Sequence, residues 1–211
     1  MSIDVPFLIG ATNREVRDVE REGRTARVVV ATRTYDTSVE DLWDAISNGE
    51  RIPRWFLPIE GDLRLGGKYQ FKGNAGGTIT RCEPPRELAA TWEMLGGVSW
   101  VEVSLRPDGD GARLELKHTA YPEAHWEQFG AGAVGIGWEL GLMGLGIHIA
   151  NPNAAEKPPE ADPAWAATDE AKSFMRASGA AWGKAEIANG EEAVAATERA
   201  ERTVKFYTGE A

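Results

Sequence analysis

The stretch Gln128–Ala150, QFGAGAVGIGWELGLMGLGIHIA, decides the fold. Its spacing predicts one helix with two apolar faces. At roughly 100° per residue, Val134, Trp138, Leu142, Leu145 and Ile149 fall on one stripe, and Ile136, Leu140, Met143 and Ile147 fall on a second, opposite stripe. Gly135, Glu139 and Gly146 mark one edge between them, and Gly137, Gly144 and His148 the other. A helix apolar on both sides must be covered on both sides, by a sheet on one and by something else on the other. Glycine inside a helix costs about 0.5–1 kcal/mol relative to alanine. Gly137, Gly141 and Gly144 therefore imply either a close-packed neighbour or volume left open for a ligand.

Upstream, the pattern supplies the sheet. Residues 14–21 and 25–36 flank Glu22-Gly23-Arg24 as a hairpin, and Ser38-Val39-Glu40-Asp41 opens a short helix through Ile46, ended by Asn48-Gly49. Arg51–Phe56 reads as another short helix, stopped by Pro58. From Gly61 to Tyr121 the period becomes two, in the runs DLRLGGKYQF, GGTITRC, ELAATWEML, SWVEVSLRP and ARLELKHTAY, joined by Gly-, Pro- and Asp-rich turns that imply antiparallel neighbours. Tyr69 and Phe71, Val101, Val103 and Leu105, Leu114, Leu116 and His118, and Leu88, Ala90, Trp92 and Met94 form apolar rows. The run TITRC stays ambiguous, since neither of its faces is clearly apolar. Beyond Ala150, NPNAAEKPPEADP reads as a linker. Asp162-Pro163 then opens a helix through Ile187, and Asn189 caps a second, with Glu191 and Glu192 in its first turn and Gly209 at its end. These two amphipathic helices are the natural cover for the second stripe.

The composition excludes several classes. In 211 residues the formal net charge is −10, with no basic stripe, which argues against a nucleic-acid partner. The single cysteine, Cys82, rules out a disulfide framework and a thiolate zinc site. His118, His125 and His148 match no metal spacing, and Asp108-Gly109-Asp110-Gly111 lacks the later ligands of a calcium loop. Neither GNAGG nor GAGAVGIG is followed by Gly-Lys-Ser/Thr, and there is no Gly-x-Ser-x-Gly elbow. No metal and no cofactor are expected. The N-terminal residues lack the pattern of a secretion signal. Gln128–Ala150 is long enough to raise the question of a membrane span, but Glu139 at its centre speaks against one. The expectation is a cytoplasmic protein.

Eight tryptophans are a heavy aromatic load. So many large rings between a sheet and a helix rarely close without a gap, so a ligand cavity is expected between them. Its candidate lining is Trp55, Tyr69, Phe71, Trp92, Met94, Val103, Leu116, His118, Phe129, Trp138 and Leu142. His118, on an apolar strand face, reads either as a core histidine or as a ligand contact or general base. Tyr69, Glu139 and Arg81 are its candidate catalytic partners.

A resemblance adds to this reading. TRTYDTSVEDLWDAISNGERIPRWFLP, GDLRLGGKYQF, GGTITRCEPPRELAATWE and LELKHTAY, followed by GxGWEL opening the long helix, resemble the START-like SRPBCC superfamily. Within it they are similar to the family of the C-terminal domain of the activator of the heat-shock protein 90 ATPase, over roughly residues 27–150. The resemblance implies an α+β helix-grip fold, a curved antiparallel sheet around a long C-terminal helix with an apolar cavity between them. Here a C-terminal helical extension is added. The domain division expected is an N-terminal arm and extra strand over 1–24, the START-like SRPBCC domain over 25–150, and a linker with helices packing on the long helix over 151–211. Families of this kind mostly bind small hydrophobic molecules, and a minority are cyclases or aromatases. The co-chaperone activity is not expected to carry over to this acidic, bacterial-type chain, because the eukaryotic activator shares that work with a separate N-terminal domain. The function expected is binding of a small hydrophobic ligand without turnover. The alternatives are a cyclase-, aromatase- or hydrolase-type enzyme using the same cavity, and an interaction module acting through the tail. A homodimer would form through the tail or the Gly137/Gly141/Gly144 edge.

Overall fold

Two-residue turns set the register of the sheet. Glu22-Gly23 and Leu95-Gly96 both have positive φ, 53° and 74° in the first, 53° and 82° in the second. This is the hairpin geometry whose twist matches that of the strands it joins. The first turn links β1 (Thr12–Arg21) to β2 (Arg24–Tyr35), and the second links β6 (Glu87–Met94) to β7 (Gly97–Asp108). The computed structural model describes residues 3–153 and 162–210. In it, β3 (Ile59–Gly61), β4 (Lys68–Phe71), β5 (Gly76–Glu83) and β8 (Gly111–Ala120) complete an eight-stranded antiparallel sheet in the order β1-β2-β8-β7-β6-β5-β4-β3. The only neighbours not consecutive in sequence are β2 and β8. Between β2 and β3 the chain leaves the sheet through α2 (Val39–Ser47) and a 3-10 turn at Ile52–Arg54, and re-enters at the far edge. The Ser38 side chain caps α2, accepting from the Asp41 amide at 3.1 Å.

The sheet grips α4 (Gly132–Ala150), preceded by α3 (Ala124–Phe129). Ile136, Met143 and Leu145 are completely buried. The second stripe is covered by the tail, whose helices are α5 (Pro163–Ala166), α6 (Asp169–Ala188) and α7 (Ala193–Thr208). The Trp182 ring lies so close over Gly135 that a Cβ there would meet it at 2.4 Å. Tyr207 Oη donates to the Ala133 carbonyl at 2.9 Å, and Thr203 Oγ1 to that of Phe129 at 2.6 Å. A buried ion pair ties the first strand to the same helix: Arg14 holds Glu139 through two 2.6 Å bonds, and its remaining amino group donates to the carbonyls of Ile9 and Thr12. α1 (Val5–Gly10), an element the sequence reading did not contain, packs beside this strand and α6. Gly132–Ala150 is long and apolar enough to cross a membrane, yet here it is the core helix of the fold.

Several sequence expectations need correction. The helix predicted from Gln128 is broken at Gly130, whose φ of 63° lies outside helical space; a Cβ there would also meet the Glu186 carboxylate. Arg51–Phe56 forms only the 3-10 turn. Of the run Asp62–Phe71, only Lys68–Phe71 is strand, while Ile59–Gly61 pairs with β4 as an additional edge strand. The ambiguity of TITRC has a cause: the register of β5 against β6 shifts between Ile79 and Arg81, so Ile79 is buried and Arg81, of the same parity, is exposed. The helix expected over 163–187 is interrupted, with Thr168 capping α6 separately. The last helix is capped by Glu192, whose carboxylate accepts from the Val194 and Ala195 amides, and not by Asn189. Gly137 faces the Tyr207 hydroxyl, Gly141 lies under the Phe56 ring, and Gly144 is buried. At Gly137 and Gly141 that edge is therefore packed against neighbours within the chain. The linker reading falls largely on residues 154–161, outside the described residues.

Candidate functional site: an aromatic cavity between sheet and helix

The inward rows of β4–β8 and the first stripe of α4 do not meet completely. Between them lies a cavity of about 120 Å³. Its walls come from β4 (Tyr69, Phe71), β6 (Leu88, Ala90, Trp92), β7 (Val101, Val103), β8 (Leu114, Leu116) and α4 (Trp138, Gly141, Leu142, Leu145), closed by Ile52, Trp55 and Phe56 from the 3-10 segment. An engineered apolar cavity of about 150 Å³ accepts benzene, so the open volume here is about one ring in size. The rings contact one another: Trp92 and Trp138 have centroids 4.9 Å apart, Phe56 meets Phe71 edge-on at 5.0 Å, and Phe56 and Trp138 lie nearly parallel at 6.3 Å. Gly141 makes this possible, since the Phe56 ring occupies the space beside its missing side chain.

The polar hydrogens of the lining are mostly committed to the protein. Tyr69 Oη donates to the Thr91 carbonyl at 2.7 Å, Trp55 Nε1 to that of Ala45 at 2.9 Å, and Ser47 Oγ to that of Trp43 at 2.7 Å. Trp138 Nε1 donates to His118 Nδ1 at 2.9 Å. His118, only 4% exposed, stands behind the cavity wall and not on it. Its Nε2 lies 2.8 Å from Ser99 Oγ, which donates onward to the Trp92 carbonyl at 3.1 Å. This chain dictates the tautomer. Because Nδ1 accepts from an indole N–H, which can only donate, Nε2 carries the proton and donates to Ser99. Burial holds the imidazole neutral by lowering its pKa to about 4. The resulting polarity is the reverse of a serine–histidine dyad, in which the histidine accepts the serine proton. Burial, with Glu93 nearby, raises the Tyr69 phenol above its ordinary range, so it stays a neutral donor.

Eight of the eleven sequence-predicted lining residues come together here: Trp55, Tyr69, Phe71, Trp92, Val103, Leu116, Trp138 and Leu142. Three do not. Met94 ends β6 beside the hairpin turn and is 48% exposed. Phe129 ends α3 and packs against the rings of Phe206 and His125, on the tail side of the molecule. His118 is placed as described. The catalytic partners proposed for it are otherwise engaged: Glu139 is taken up by Arg14, the Tyr69 hydroxyl by the Thr91 carbonyl, and Arg81 lies exposed with Glu87. Phe56 and Ser99 were missed. The unexplained Gly141 was the only sequence signal for Phe56, and nothing local marked Ser99. Among the described residues there is no cluster of metal-ligating side chains.

The model of the family described as Activator of Hsp90 ATPase homolog 1-like protein matches residues 36–148, from the end of β2 to the last turn of α4. The chain belongs to this family. Relatives of known structure extend the likeness beyond that core. The crystal structure of CalU16 from Micromonospora echinospora is 34% identical, covering 83% of this chain and 98% of that one, with a TM-score of 0.67. Its solution structure matches at 33% identity over 85% and 97%, with a TM-score of 0.71. EF2215 from Enterococcus faecalis, 16% identical over 85% of this chain and 93% of that one at a TM-score of 0.59, shares the fold alone. No curated protein matches. The helix-grip, α+β architecture of this Activator of Hsp90 ATPase homolog 1-like chain is thus established.

Proposed function

We propose that this Activator of Hsp90 ATPase homolog 1-like chain binds a small apolar molecule, or a ring-sized part of a larger one, in the cavity between sheet and α4, and releases it unchanged. One observation carries the reading: the cavity wall is mostly carbon, and among the described residues no acid–base pair faces it. Tyr69, Trp55, Ser47 and Trp138 all turn their polar hydrogens into protein bonds, and His118 is neutral behind the wall, donating to Ser99 rather than accepting from it. A general base needs a lone pair in reach of the substrate, and here His118 Nδ1 is occupied by Trp138. The proposed ligand contacts are Trp55, Phe56, Tyr69, Phe71, Trp92, Trp138 and Leu142. The proposed setting is the cytoplasm.

The test is a titration with toluene followed by NMR. Saturable binding with a Kd of about 0.1–1 mM is expected, roughly −4 to −5.5 kcal/mol, with shifts confined to the cavity lining. Ala90→Leu places extra carbon in the void and should abolish binding without lowering the melting temperature. Unsaturable shifts, or undiminished binding by Ala90→Leu, would overturn the assignment.

A further inference from the structure

Of the five lining side chains that carry a polar hydrogen, four are committed to protein acceptors. The fifth is Trp92. Its indole nitrogen makes no hydrogen bond among the described residues and is not fully occluded. Trp92 belongs to the inward row of β6 and lies on the cavity wall against Trp138 and Phe71. The contrast with Trp138 has a structural origin. The bonds Trp138–His118–Ser99–Trp92 run from α4 across β8 and β7 to β6, and they remove the Trp138 N–H from the cavity while anchoring the backbone of Trp92 through its carbonyl.

We infer that the ligand of this cavity is an apolar ring bearing one hydrogen-bond acceptor, such as an aryl ketone or aldehyde, received by Trp92 Nε1–H. This rests on the proposed function and adds the chemical class of the ligand. A ligand that covers this N–H without offering an acceptor leaves it unpaired, which is unfavourable, so the site discriminates against such ligands. The His118 chain is a positioning device in this scheme: it keeps a second donor out of the cavity, so that one acceptor and not two is selected.

The experiment compares acetophenone with α-methylstyrene, which has the same shape with a CH₂ group in place of the carbonyl oxygen. Affinities are measured by NMR titration on the full-length wild type and on Trp92→Phe, which keeps an aromatic ring and removes the N–H. The ratio of acetophenone to α-methylstyrene affinity should fall about five- to tenfold in the variant. In the wild type, the Trp92 indole N–H resonance, assigned from its NOE contacts, should move downfield with acetophenone and not with α-methylstyrene. An unchanged affinity ratio, or an indole resonance that responds alike to both, overturns this inference while leaving the cavity reading intact. Failure of both compounds to bind the wild type at millimolar concentration overturns both. Should Trp92→Phe not fold, the resonance shift in the wild type decides alone.

Discussion

At the residue scale, the structure turns His118 from a candidate catalyst into a connector. The apolar register with Leu114 and Leu116 was visible along β8, but the partners that define its role come from α4 and β7, 20 and 19 positions away. Replacing it by leucine leaves the Trp138 N–H and the Ser99 hydroxyl short of a partner. A stability loss of about 1–3 kcal/mol is expected, measured by urea denaturation. The neutral imidazole also predicts a pH dependence with a definite sign. The folded state holds the His118 pKa near 4 against an ordinary value of 6.5, so the unfolded chain binds the extra proton between those limits. Its contribution is complete above about pH 6.5 and falls away as pH drops toward 4, by up to about 3 kcal/mol. The His118→Leu variant should show a correspondingly shallower decline over that window. Equal slopes for variant and wild type would refute the assignment.

At the scale of elements, α4 shows how packing overrides propensity. Glycine at position 135 is a poor choice for an isolated helix, and alanine would gain about 1 kcal/mol there. In the folded protein the Trp182 ring from α6 occupies the place of that methyl, with ring atoms 2.4–2.6 Å from a Cβ. Gly135→Ala should therefore destabilise by about 1–3 kcal/mol, because Trp182 is completely buried and has nowhere to move. Chemical denaturation of the variant checks this, and a gain in stability would show that the α4–α6 crossing is looser than described. Gly179 plays the equivalent part between α6 and α7, its missing Cβ making way for Val204. The glycines of α4 thus answer to different neighbours: Gly135 to the tail, Gly141 to Phe56 on the cavity side.

At the scale of the molecule, sheet, long helix and tail form three layers around α4. Ending the chain at Ala150 would remove α5–α7 and uncover Ile136 and its neighbours on the second stripe, each large aliphatic side chain worth about 1.5–3 kcal/mol when fully buried. The protein of residues 1–150 should aggregate, or melt far below the full chain in a thermal scan. A soluble fragment of equal stability would contradict the layered reading.

The sequence by itself determined whatever depends on neighbours along the chain. The antiparallel meander and the faces of its strands followed from period-two alternation, the two-sided character of α4 from the helical period, and the start or end of several helices from Thr37-Ser38, Asp162 and Gly209. Seven of the cavity residues, all but Trp55, were legible for the same reason: an inward row is a local property. Only the tertiary structure decided the features that depend on contacts distant in sequence. Met94 shares the parity of Trp92, but whether the helix reaches that far along the strand is a matter of layer overlap. At Gly130, where α3 ends, the Glu186 carboxylate from another layer leaves no room for a side chain. His118, Glu139 and Tyr69 looked equally free on their elements, and each was claimed by a partner that periodicity has no means to reveal. A hydrogen-bond partner is fixed by distance in space, and distance in space is set by how the layers stack.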